Sequence, residues 1–131
     1  TPDDLALLAA NQAATESETG LAKLVALDME FHALVGRASH NRALMLAREP
    51  VGLLYNPTLL QIFQRLPQAV QRNSVAHQHT LAALHAGDAE AAAEWTRKHM
   101  VDFQRGFALA GLDMSTPIAQ PSPGLDKANH R

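Results

Sequence analysis

The sequence predicts an all-α protein, an antiparallel bundle of about six helices, on three observations. Ala and Leu dominate a chain of 131 residues that is 47 % hydrophobic but only 5 % aromatic, and β-branched runs are scarce. Apolar residues recur at helical spacing rather than in alternation. Helix punctuation (capping residues, first-turn prolines and a glycine stop) falls between those stretches. The length suits one domain with a real core.

Each element follows in order. Thr1-Pro2-Asp3-Asp4 reads as a helix start, with Thr1 as N-cap, Pro2 in the first turn and two carboxylates at the positive end of the dipole. Leu5, Leu8 and Ala9 give this helix a modest apolar face that fades into ATESETG, and Gly20 punctuates the chain. A second helix spans about Leu21 to Arg37 with the stripe Leu21, Leu24, Phe31 and Val35. Ser39-His40-Asn41 makes a turn, and a third helix runs to Arg48, where Pro50 should stop it. The stretch VGLLYNPTLLQIF, with Gly52, Asn56 and Pro57, reads as short helical pieces with a kink. Pro67 opens a longer helix to Ala86, which Gly87 ends, and Asp88 caps the last one, Ala89 to about Leu109. Its expected inner stripe is Ala92, Trp95, His99 and Phe103. The composition then changes, so residues 1–114 are expected to form the bundle and 115–131 a Pro-rich tail outside its core.

Several function classes are excluded at once. Net charge is −2, with no basic patch dense enough to hold a phosphate backbone. There is no cysteine, hence no disulfide, thiolate metal site or cysteine nucleophile. No apolar run approaches the ~20 residues of a membrane span, and no signal peptide is visible, so a cytoplasmic protein without membrane contact is expected.

The residues that ask for an explanation lie in DMEFH, 28–32. Asp28 falls in the middle of an apolar stripe, where the period asks for Leu. A carboxylate there is costly unless something pairs with it, and the neighbouring helix faces offer no Lys or Arg in phase. They offer histidines instead. His32 lies one turn on from Asp28, His77 lies in the stripe Val70, Asn73, His77, Leu81, and His99 in the stripe of the last helix. One Asp and three His projecting inward suit Zn, Ni or a similar divalent ion in a central cavity. His40, His79, His85 and His130 fall off these faces. Asn73 is in phase with the site and Arg72 stands beside it, so both are candidates for touching a bound effector.

With these residues in hand, the chain resembles the FCD domain, the C-terminal effector-sensing domain of FadR-type GntR transcription regulators. DMEFHALVGRASHNRAL is similar to the family's D-x-x-F-H segment with its small-residue turn and Asn. HQHTLAALHAGDAEAAAEWTRKHM is similar to its second segment, a His, a helix ending in Gly-Asp, and a helix with a mid-length His. The resemblance covers about residues 1–111. It implies that Asp28, His32, His77 and His99 are the metal ligands of a metal-binding member. Ala76 departs from the Glu that often precedes the second-segment His. The family's first helix, and an Arg it often supplies, would lie before Thr1, as would a winged helix-turn-helix domain.

The function this implies is sensing. A bacterial regulator would bind a small carboxylate through the metal and control DNA binding by an attached N-terminal domain, as a homodimer. The candidate dimer faces are helix 41–48 and the segment around Leu53, Leu54 and Tyr55. No catalysis is expected, because metal-activated water needs a base beside the metal and Glu30 and Glu94 are out of phase. The competing readings are a metal-dependent hydrolase and a dimerisation module with a purely structural metal.

Overall fold

The computed structural model describes residues 1–113, the side chains of Leu53 and Leu54 excepted. Among the described residues it is all-helical: α1 (Pro2–Ser17), α2 (Leu21–Ala38), α3 (Arg42–Arg65), α4 (Pro67–Ala86) and α5 (Ala89–Leu109). The tail expected over 115–131, and the Leu53 and Leu54 side chains of the expected dimer face, lie outside the described residues.

Thr1 and Asp4 form a capping box that starts α1. The Asp4 amide donates to Thr1 Oγ1 at 3.3 Å, and the Asp4 carboxylate accepts from the Thr1 ammonium at 2.9 Å. The helix then buries Leu8 but also Asn11, Gln12 and Thr15. Its inner face therefore stays polar where an apolar one was expected to fade out. Asn11 Nδ2 donates to the Leu27 carbonyl at 3.1 Å and to Glu30 at 2.9 Å, and Gln12 Nε2 donates to Ser74 Oγ at 3.0 Å.

In α2 the inner face is Leu24, Val25, Asp28, Phe31 and Leu34, as the period requires. The turn after it places His40 at φ 52, and Asn41 caps α3 by accepting from the Ala43 and Leu44 amides.

The predicted stop at Pro50 does not occur. A single helix runs through both Pro50 and Pro57. Each proline removes an amide donor and crowds the preceding turn. The two are seven residues apart, hence on one face, and both are exposed. The opposite face buries Thr58, Leu59, Ile62 and Phe63, and this burial outweighs the local penalty. At Gly52 a Cβ would come within 2.8 Å of Met29 Cε, the free end of a flexible side chain, so the α2–α3 crossing is close there without depending on glycine.

α4 ends on Gly87 at φ 69, the left-handed position that favours glycine, and Asp88 at once caps α5 by accepting from the Ala91 amide at 2.9 Å. Trp95, expected in the core, is only half-buried. It stacks on exposed His79 across α4 and α5, ring centroids 3.9 Å apart, with Lys98 Nζ 4.7 Å from its ring.

α4 and α5 pack along each other. α1 and α3 each pack against both α2 and α4. Two apolar clusters result, one of Leu8, Phe31, Leu34 and Leu81, the other of Leu24, Val25, Leu59 and Phe63. Asp28 sits on α2 between the residues that serve the first cluster and those that serve the second.

Candidate metal centre

Asp28, His32, His77 and His99 meet in that gap. Each offers one ligand atom, and these atoms all lie within 4.8 Å of one another. Three helices supply them: α2 gives Asp28 and His32 one turn apart, α4 gives His77 and α5 gives His99. His77 Nε2 is 3.4 Å and His32 Nε2 3.8 Å from Asp28 Oδ1, and the Nε2 atoms of His32 and His99 are 3.1 Å apart. An ion with ligands at ~2.1 Å in tetrahedral array separates its donor atoms by about 3.4 Å. These three separations lie around that value, and the rest of the set stays within 4.8 Å.

Burial makes the grouping expensive without a cation. Asp28 and His77 are each 2 % exposed. Asp28 Oδ1 accepts from Asn73 Nδ2 at 2.8 Å, but Asp28 Oδ2 and His77 Nε2 are buried with no hydrogen-bond partner. Such unmet groups are uncommon in folded proteins and costly. An ion would take the His77 Nε2 lone pair and offset the charge of the Asp28 carboxylate, so the donor set fits a divalent cation on the structure's own terms.

The electrostatics agree. Burial pushes the Asp28 carboxyl up to about 7, against the pull of the Asn73 hydrogen bond. Burial drives the histidines down: His77 to about 2 and His32 to about 3, each helped by the positive charge of a neighbouring histidine, and His99 to about 4, with the Asp102 carboxylate pulling the other way. All three imidazoles are therefore neutral at pH 7, the form that binds metals. Phe31 stacks on His77 with centroids 3.9 Å apart and 9° between planes, which fixes the ring.

Of the effector candidates, Asn73 holds Asp28, and Arg72 is committed to Asp102 at 2.5 Å. Three further residues border the cluster unforeseen. Arg48 donates to the Met29 carbonyl at 3.2 Å, and its charge opposes protonation of His32. Tyr55 stands edge-on to His32 with centroids 6.4 Å apart. Its hydroxyl is buried without a partner, and burial, then the Asp28 charge, holds it protonated. The signal for Tyr55 was its phase with Leu59 and Ile62, visible once α3 is continuous. Asp102 is a carboxylate near His99, but Arg72 and Arg105 occupy it. Glu30 is bonded to Asn11, and Glu94 to Arg97.

Among the described residues no helix is long and apolar enough to cross a membrane. A family model described as the FCD domain matches residues 1–102. No curated protein and no solved structure matches the chain.

Proposed function

Since the chain belongs to the FCD domain family, we propose that it is the ligand-sensing domain of a bacterial GntR-type transcription regulator. In this reading Asp28, His32, His77 and His99 hold a divalent ion, Zn or Ni, at which a small carboxylate effector binds. The observation that carries it is the convergence of one carboxylate and three neutral imidazoles, two of whose buried atoms have no other partner. Bound there, the ion would supply Lewis acidity and one unit of positive charge beyond what Asp28 cancels, which favours an anion.

The chain's own residues prepare that site. Asn73 orients Asp28, Phe31 and burial keep His77 in place and neutral, and Arg48 adds positive potential beside His32. Tyr55 offers an unengaged hydroxyl donor. An effector touching α2, α4 and α5 together would favour one arrangement of these helices over another, and could thereby bias an attached DNA-binding domain. FCD domains belong to transcription regulators, and the carboxylates near the cluster are already committed, which supports sensing over hydrolysis. Exposed Leu44, Leu46 and Val51 on α3 support a homodimer through that helix. We take the effector domain as residues 1–114, in a cytoplasmic parent.

Elemental analysis after dialysis should find Zn or Ni near one per chain. Titration with lactate and acetate should show binding to loaded protein that vanishes on chelation and returns with Zn²⁺. Equal binding to stripped and loaded chains would leave the ion a structural part and overturn the sensing role.

A further inference from the structure

On one side the histidine cluster borders a cleft of different chemistry. It lies between α3, α4 and α5, has a volume of about 270 Å³, and counts His99 and Asn73 among its walls. It therefore abuts the candidate ion site through these two walls, Asn73 being bonded to Asp28 and His99 being one of the four clustered groups, while Asp28, His32 and His77 lie behind them. Its other walls are largely apolar: Leu59, Ile62, Phe63 and Phe103. The charged groups at the cleft, Arg72, Asp102 and Arg105, stand at its solvent-exposed edge, where Asp102 accepts from Arg72 at 2.5 Å and lies 3.9 Å from the largely exposed Arg105, leaving one net positive charge there. Exposed Gln68 adds one amide.

This lining discriminates between classes of acid. A hydroxy or sugar acid entering the cleft would bury hydroxyls against aliphatic and aromatic carbon, and each hydroxyl left without a partner weakens binding. An alkyl or aryl tail needs no partner and gains from leaving water. The volume lies just below the usual range for ligand pockets, so the tail is short.

We infer that the effector is a monocarboxylate with a short apolar tail. Its head would lie at the cluster of Asp28, His32, His77 and His99, and its tail between Ile62 and Phe103. This rests on the ion-dependent reading above and narrows it to one class.

The test is calorimetric titration of the Zn-loaded chain with acetate, butyrate, hexanoate and phenylacetate, set against lactate and gluconate. Affinity should rise about fourfold per methylene from acetate to butyrate, the gain from burying one CH₂. Phenylacetate should bind tighter than gluconate. Ala69→Phe, which fills the cleft from its α4 wall, should weaken hexanoate and phenylacetate tenfold or more. It should leave acetate within twofold and the Zn content unchanged. Tightest binding by lactate or gluconate would overturn the inference and leave the ion-dependent reading standing. So would equal loss of all acids in Ala69→Phe. A change in sedimentation rather than in acid binding would assign the cleft to a second copy and also overturn it. Failure of every acid to bind a chain that retains its ion would refute the effector reading itself, and this inference with it.

Discussion

His77 and His79 are two residues apart, and the helix sends them to opposite fates. His77 is 2 % exposed and faces Asp28, while His79 is exposed and stacks on Trp95. His77→Ala should therefore abolish ion retention, and His79→Ala should leave it intact, both read by elemental analysis of dialysed protein. Asn73→Ala removes only the partner of a ligand, so it should weaken the ion by roughly 10–100-fold. Equal loss from His77→Ala and His79→Ala would break the case for the site. The four clustered residues were legible in the sequence because a polar group at a core phase of a helix demands a reason. Arg48 and Tyr55 were not. Tyr55 lies beyond Pro50, where the phase is lost if the helix is taken to stop; Arg48 lies within the expected third helix, but its reach to the Met29 carbonyl depends on how α3 crosses α2, which spacing along the chain does not fix. Nor was the buried face of α1 legible, since Asn11 and Gln12 read as surface residues until the acceptors on α2 and α4 are known.

Elements with orthodox ends were readable almost to the residue. Thr1, Gly87 and Asp88 each satisfy backbone groups in the way their chemistry favours. α3 departs because two penalties on its exposed side are offset by burial on the other. Those penalties should be recoverable. Pro50→Ala and Pro57→Ala each restore an amide and relieve crowding at an exposed position. Set against the extra freedom given to the unfolded chain, each should stabilise by about 2 kcal/mol. Urea midpoints measure this, and a loss of stability in both variants would mean that the proline rings pack against something essential.

For the whole molecule, acid is the informative stress. Unfolded histidines protonate near 6.5, whereas the buried His32, His77 and His99 do so only at about 3, about 2 and about 4. Acidification through and below 6.5 thus favours the unfolded chain three times over. Asp28 acts in the opposite sense. Its value rises from 3.8 to about 7, so over that interval the folded state holds a proton that the unfolded state lacks. Three groups outweigh one, and metal-free stability should fall as pH drops from about 6.5 towards 4. Bound Zn²⁺ would keep Asp28 ionised, remove the opposing contribution and steepen the loss. Denaturation midpoints between pH 7 and 4.5, with chelator and with Zn²⁺, check both slopes. A flat profile would mean that the histidines are open to protons in the folded state. Assembly is checked separately. Leu46, 71 % exposed on α3, should carry the dimer contact, and Leu46→Lys should shift sedimentation from dimer to monomer.

The polar inner face of α1 has a consequence for how the molecule comes apart. α1 is held to α2 and α4 by Leu8 with partly buried Leu5 and Ala9, and otherwise by polar contacts: amide hydrogen bonds at Asn11 and Gln12, whose amide oxygens are left buried without donors, and Gln78 donating to Glu16 at the surface. Water can replace such bonds far more easily than it can replace apolar burial. α1 also supplies none of the four clustered groups. It should therefore be the first segment to detach, with backbone amides that exchange with deuterium sooner than those of α4 and α5. Zn²⁺ should slow exchange in α2, α4 and α5 and leave α1 nearly unchanged. The ion would then clamp three of the five described helices together and leave α1 as an outer strut free to swing away.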